Sequence, residues 1–313
     1  MSQGHAGSSG SSGSASGGQD RIPAGATQDV DERPPAPGID IEKPHVARMY
    51  DYFLGGKNNY AADREAAEQV LKGMPEVRIG AQTNRRLLIE SVRWLAQEAG
   101  IRQFLDIGSG LPTQQNVHEV AQAIDENARV VYVDNDPLVR VHAETLLATN
   151  PNTIVLEADI RDPKALLDRP ELRDHLDFTR PIALLLVAVL HFIPDTEQAY
   201  EIVKTLCDAL PSGSYVVISH GLLDERVKER LEQGREVYNR TGAGISPRTR
   251  EEIARFFDGL TPVGKGLVRI ADWSIGDGER APRNEGDDGV IAFGDFIVPK
   301  EFGVLCGVAR IDR

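Results

Sequence analysis

The stretch Phe104-Leu105-Asp106-Ile107-Gly108-Ser109-Gly110-Leu111-Pro112 decides how the chain is read. An apolar run around Asp106 predicts a buried strand over residues 103–107. The two glycines that follow predict a turn where a ligand can approach the backbone at a helix N-terminus. Beyond them Val117, Val120, Ala121 and Ile124 recur at helical spacing, so a helix with one buried face is expected over residues 112–126. Strand, glycine turn and helix open a parallel βαβ unit. A third glycine at position 113 would complete a dinucleotide fingerprint; Thr113 stands there, which counts against nicotinamide binding. No G-x-x-x-x-G-K-[ST] segment occurs either, which counts against a P-loop nucleotide hydrolase.

Moving outward, the same rhythm continues. Residues 129–133 predict a second strand, and Asp136-Pro137 then offers a capping carboxylate and a proline at the first helical position. A third strand is expected over 153–156. Residues 182–189 are apolar on both faces, as a central strand covered by helices on each side should be. A helix over 196–210, a strand over 215–219, a charged helix over 223–238 and a helix over 248–257 follow. Residues 266–270 and 304–311 predict two last strands in an antiparallel hairpin at the sheet edge, and the Gly- and charge-rich loop over 276–300 is expected to be mobile.

Carboxylates stand at successive strand ends. Asp134 closes Val130-Val131-Tyr132-Val133, where a side chain can accept both hydroxyls of a ribose, with Asn135 beside it and Asp136 as the helix cap. Asp159 follows the third strand, where it can accept from an adenine amino group while the Ile160 backbone reads the ring edge. Each acid alone reads as a loop cap; Asp106, Asp134 and Asp159 in strand order point to a nucleoside ligand.

The segments FLDIGSGLP (104–112), VVYVDNDP (130–137), ADIRDP (158–163) and LLLVAVLHFIP (184–194) resemble the class I S-adenosylmethionine-dependent methyltransferases. Residues 48–60, Ala62-Asp63-Arg64, Thr83-Asn84-Arg85, residues 256–260 and Gly266-Leu267-Val268 before Trp273 resemble, more narrowly, an actinobacterial methyltransferase family long known as a domain of unknown function. The resemblance implies a Rossmann-like α/β fold: a seven-stranded, mostly parallel sheet with an antiparallel C-terminal edge hairpin. It implies S-adenosyl-L-methionine as cofactor, with Gly108 and Gly110 beneath the methionine portion, Asp134 on the ribose, and Asp159 with Ile160 at the adenine; Asp106, Ser109 and Asn135 are further candidate cofactor-binding residues. Asn84-Arg85 is similar to the Asn-Arg pair of leucine carboxyl methyltransferases, whose arginine holds the cofactor carboxylate. A planar guanidinium suits a carboxylate, and Arg85 or Lys57 is available for that role.

At the N-terminus Met49, Tyr50, Phe53 and Leu54 lie at helical spacing until Gly55-Gly56 stops the helix. The following Lys57-Asn58-Asn59-Tyr60 is expected to close over the cofactor as a lid. Tyr50, Tyr52 and Tyr60 are candidate pocket walls, because a sulfonium is attracted to aromatic faces.

Methyl transfer from a sulfonium is an in-line displacement dominated by alignment, so a base is needed only where the acceptor must lose a proton. His191, just past the central strand, is the first candidate for base or acceptor-orienting group, and His220 the second; His118 is expected on the surface. No H-E-x-x-H motif occurs, and no metal is expected.

With 35 Lys+Arg against 48 Asp+Glu the chain carries a net charge of −13, which argues against a nucleic-acid acceptor. Arg226, Lys228 and Arg230 are interleaved with Asp224, Glu225, Glu229 and Glu232, a solvated helix face rather than a phosphate-binding patch. The apolar run over 182–190 is far short of the roughly 20 residues a membrane span needs, and no signal peptide is read, so a cytoplasmic location is expected. Cys207 and Cys306 read as buried thiols. Residues 1–38, rich in Gly, Ser, Pro and Ala, are expected to be a disordered tail; the run over 7–13 resembles an engineered linker as much as a natural one. Residues 39–100 are expected to form a helical extension and lid, and 101–313 the Rossmann-like domain. The expected activity is methyl transfer to a small-molecule acceptor. The alternatives are a non-catalytic S-adenosylmethionine- or S-adenosylhomocysteine-binding regulatory protein and, less favoured, a nicotinamide-linked oxidoreductase.

Overall fold

The computed structural model describes residues 40–111, 115–139, 141, 150–223, 228–275, 290–293, 296–299 and 303–313. Pro35–Arg313 forms one compact unit, and the expected tail over 1–38 lies outside the described residues. The central sheet is built from β1 (Gln103–Ile107), β2 (Arg129–Asp134), β3 (Thr153–Glu157), β4 (Ala183–Val187) and β5 (Tyr215–Gly221), all parallel, in the order β3-β2-β1-β4-β5. Beyond β5 lies antiparallel β10 (Val304–Arg310). The two-residue strands β6 (Thr261–Pro262) and β7 (Val268–Arg269) share its far edge, both antiparallel. The sheet therefore has seven positions, the last split between two short segments.

Successive residues of each strand enter opposite cores. Leu105, Val131, Leu184 and Val216 pack on one face, while Phe104, Val130, Ala183, Leu185 and Val217 pack on the other. This is why these strands lack polar alternation: both faces are covered. On one side α7 (Thr196–Asp208) supplies Ala199, Ile202, Val203 and Leu206 at i, i+3, i+4 and i+7, its N-terminus capped by Asp195 accepting from Gln198 N–H at 2.9 Å. On the other side α3 (Glu76–Gln97) supplies Leu87, Leu88, Val92 and Leu95. Two short helices, α5 (Pro163–Leu167) and α6 (Pro170–His175), each open with a proline at the first helical position. In the N-terminal extension α1 (Val46–Phe53) and α2 (Ala61–Gly73) bury Met49, Phe53 and Val70 against Val237 and Tyr238 of α8 (Lys228–Arg240). A buried ion pair, Arg48 Nε to Asp63 Oδ2 at 2.9 Å, joins α1 to α2.

Several expected elements are redrawn. The helix over 112–126 is α4 (Val117–Gln122), because Asn116 and Glu119 form a capping box that fixes its start; residues 112–114 lie outside the described residues. The charged helix runs over Lys228–Arg240, while Leu223 is not helical and 224–227 are not described. The helix over 248–257 is α9 (Arg250–Ala254), capped by Thr249 and continued by a 3₁₀ turn over Arg255–Phe257. Within the loop over 276–300, β8 (Val290–Phe293) and β9 (Phe296–Pro299) pair antiparallel. Two apolar runs separated only by Gly294-Asp295 are a hairpin signal. Both cysteines are buried thiols outside any disulfide.

Candidate active site

The sheet order reverses between β1 and β4, where α/β sheets bind ligands beyond the strand C-termini. A cavity of about 350 Å³ lies there, lined by Arg85, Asp106, Gly108, Ser109, Gly110, Asp134, Asn135, Asp159 and Ile160. Gly108 and Gly110 have φ of +72° and +65°, and a Cβ at Gly108 would sit 2.4 Å from Val189 Cγ2. The turn therefore requires glycine at 108 for both conformation and space. Gly108 N–H donates to Val133 O at 2.8 Å, and Gly110 N–H to Asp134 Oδ2 at 2.9 Å. Asp134 also accepts from Asp136 N–H (3.0 Å), while Asp136 accepts from Leu138 N–H (2.9 Å) as the expected cap.

Burial pushes the Asp106 carboxyl up to about 7, against the opposing pull of the Arg85 guanidinium and with a push from Asp134. Asp134 is likewise raised by burial, though its two backbone donors oppose the shift. Arg85 Nη2 donates to Gln115 O at 2.9 Å, which anchors it at the cavity rim. Asp159 is half-buried, the most exposed of the three: Arg161 clamps it with bonds of 2.9 and 2.5 Å and holds its carboxyl below the usual range.

Tyr52 does not line this cavity. Its hydroxyl bonds Glu68 and its ring faces Arg78, on the opposite side of α1 from Tyr50, which does line it. The loop Gly55 to Tyr60 does not line the cavity either. Buried Asp51 gathers it inward, accepting from Asn58 N–H and Asn59 Nδ2 at 2.8 Å each, while its backbone oxygen takes Gly56 N–H. Lys57 is exposed outside the cavity, and Tyr60 packs on Leu111, Leu138 and Val139. The wall is α1 itself, through Val46, Ala47, Tyr50 and Phe53, tethered by His45 Nδ1 to Asp136 Oδ2 at 2.9 Å.

A second cavity of about 330 Å³ adjoins the first and shares Tyr50, Phe53, Asn84, Ala188, Phe192 and Tyr238 with it. His191 and His220 line this second cavity and not the first. His191 Nδ1 is buried without a hydrogen-bond partner, and burial, aided by Arg248, pushes the ring down to about 4. Both nitrogens of His220 are engaged: Arg248 Nη1 donates to Nε2 at 2.8 Å, so Nδ1 carries the proton and donates to Gly221 O at 2.8 Å. That corrects the second candidate base, since neither nitrogen is left for an acceptor's proton. Arg248 itself, which the sequence did not single out, is fully buried and also donates to Leu190 O (3.1 Å) and Ile193 O (2.8 Å). Between the cavities Ala188 takes a left-handed φ of +56°, its N–H donating to Ser219 Oγ (3.0 Å), which in turn donates to Asn84 Oδ1 (2.6 Å). His118 is half-buried rather than on the surface, with Nδ1 2.9 Å from the Tyr132 hydroxyl.

Residues 32–312 match a family model described as S-adenosyl methyltransferase. The chain belongs to the S-adenosyl methyltransferase family. This methyltransferase is 40% identical to a DUF574 family protein from Streptomyces avermitilis, over 87% of this chain and 99% of that one, with a TM-score of 0.75. It is also 40% identical to a Thermobifida fusca protein described as a proposed methyltransferase, over 88% and 98% of the two chains, with a TM-score of 0.77. No curated protein matches it.

The methyltransferase is an S-adenosylmethionine-dependent enzyme, and its first cavity suits that cofactor. Bound there, the cofactor supplies a methyl group made electrophilic by a sulfonium. Its amino-acid end carries one positive and one negative group, and the cavity offers a buried carboxyl at Asp106 and a guanidinium at Arg85. Among the described residues no group of three His, Cys, Asp or Glu could hold a metal ion, and no helix is long and apolar enough to cross a membrane.

Proposed function

We propose that this methyltransferase acts on a small-molecule acceptor and holds its cofactor in the first cavity. Asp106 accepts from the cofactor's ammonium and Arg85 donates to its carboxylate, over the turn Gly108-Ser109-Gly110. Asp134, with Asn135 beside it, accepts the ribose hydroxyls, and Asp159 with the Ile160 backbone meets the adenine. His191 orients the acceptor from beyond the junction. The observation that carries this reading is the charge sequence along one cavity wall: opposite charges at Arg85 and Asp106, then a carboxylate at each of the next two strand ends. The overall negative charge supports a small acceptor over a polyanionic one.

Calorimetric titration with S-adenosylmethionine and S-adenosylhomocysteine, with NADH as control, tests the cofactor site. Both adenosyl ligands should bind and NADH should not. Asp134→Ala should lose about 1.5–3 kcal/mol of affinity, the range of a charge-assisted hydrogen bond. Unchanged affinity would remove Asp134 from the ribose. His191→Ala should slow turnover while cofactor affinity stays within error; equal losses in both would make the residue structural.

A further inference from the structure

We propose that the second cavity is the acceptor site and that it takes an uncharged aromatic acceptor whose hydroxyl donates to His191 Nδ1. This rests on the cofactor occupying the first cavity. The two cavities differ in charge. The first carries Arg85, Asp106, Asp134, Asp159 and Arg161, whereas among the described residues no Lys or Arg lines the second and Glu76 is its one acid. Its walls are instead apolar and aromatic, with Phe53, Met74, Val77, Phe192, Tyr238 and Ile245. An acceptor bearing phosphate or sulfate would lose its hydration there with no cation among the described lining residues to replace it.

Several polar groups of that cavity are already paired. Ser219 bonds Asn84, and His220 is held between Arg248 and the Gly221 carbonyl. His191 Nδ1 remains, buried and unpartnered, on a ring that lines the cavity. The groups around it keep the ring neutral, so that one nitrogen is an acceptor, and the tautomer with the proton on Nε2 makes that nitrogen Nδ1: Arg248 lies on one side, and the His220 and Phe192 rings pack at 5.6 and 4.4 Å between centroids. A hydroxyl that donates to Nδ1 keeps its oxygen lone pairs free to face the junction at Ala188, where the two cavities meet. A cavity of about 330 Å³ falls in the range of small-molecule sites and is too small for a macromolecular segment to be engulfed.

The test is equilibrium binding of 2-naphthol, 2-methoxynaphthalene and 2-naphthyl phosphate to protein saturated with S-adenosylhomocysteine, read by naphthalene fluorescence. Two variants, Val77→Trp and Ile245→Trp, fill the second cavity from different elements without touching the first. Both should retain S-adenosylhomocysteine affinity and bind 2-naphthol about tenfold more weakly or worse. His191→Phe should weaken 2-naphthol about three- to tenfold, the worth of one hydrogen bond, and leave 2-methoxynaphthalene unchanged. The phosphate ester should bind at least about tenfold more weakly than the alcohol. Absence of 2-naphthol binding to loaded protein overturns the proposal, as does wild-type binding by either folded Trp variant or equal affinity for the phosphate ester. Equal weakening of alcohol and ether by His191→Phe overturns the role of Nδ1. Failure of S-adenosylhomocysteine to bind wild-type protein would instead refute the cofactor reading beneath it, so the two failures are distinguishable.

Discussion

Asp106→Asn preserves the shape of a buried side chain and removes its charge, so it separates what Asp106 does for the ligand from what it does to the free protein. The Asp106 carboxyl titrates near 7 in the fold against an ordinary 3.8, because burial disfavours its ionised form. Below 3.8 it is protonated in folded and unfolded chains alike and has no effect. As pH rises toward 7 the unfolded chain ionises while the fold retains the proton, so stability falls; above 7 the loss is complete. At about 1.36 kcal/mol per pH unit the full difference is about 4 kcal/mol. The asparagine variant, which never ionises, should therefore be more stable than the parent by about 4 kcal/mol at pH 8 and by about 2 kcal/mol at pH 5. Urea denaturation of ligand-free protein at the two pH values measures this directly. The same variant should bind S-adenosylmethionine less tightly by about 1.5–3 kcal/mol, having lost a charged partner for the ammonium. A gain in stability that does not grow with pH would refute the burial argument. A gain with undiminished affinity would refute the placement of the ammonium.

Gly108→Ala should destabilise by about 2–4 kcal/mol, adding overpacking against Val189 to the strain of a positive φ. Gly110→Ala, with the same backbone strain and nothing within 4 Å, should lose only about 1–2 kcal/mol; equal losses in denaturation curves would contradict this. Arg248→Met should destabilise by about 3–5 kcal/mol, since the Leu190 and Ile193 carbonyls and His220 Nε2 all lose a buried donor, and a melting temperature near the parent's would count against it. Tyr52→Phe should leave S-adenosylhomocysteine affinity unchanged in calorimetry, because its hydroxyl points to Glu68 outside both cavities.

The parts of this site that were legible in the sequence are those encoded locally. A strand end, a glycine turn and a carboxylate lie within a few residues of one another, so Asp106, Gly108 and Asp134 could be found without knowing how the strands pair. Tyr50 and Tyr52 show the limit. Two residues apart on a helix means roughly 200° of rotation, so only one can face the cavity, and composition alone does not say which. The second cavity was invisible for a related reason: Val77, His191, Tyr238, Ile245 and Gly303 come from segments spread over most of the chain. Arg248 was unreadable because a lone arginine before a helix gives no sign that it will be buried among carbonyls. Other features are encoded locally as well. Asn116 and Glu119 announced where α4 begins, and Gly294-Asp295 announced a hairpin.

The antiparallel strand β10 sits between β5 and the short edge strands, and it is made long after its neighbour: Gly221 pairs with Val304, roughly 80 residues later in the chain. At about 5–20 residues per second, synthesis leaves the outer edge of β5 without its partner for several seconds to about 15 s. During that interval an apolar, fully formed strand edge is open to any other nascent chain nearby. The exposed segment includes Ser219 and His220, which wall the second cavity. On the ribosome, therefore, the second-cavity side of the sheet gains its β10 partner after the parallel strands are made, and it is the side on which a stalled or truncated chain would be prone to aggregate.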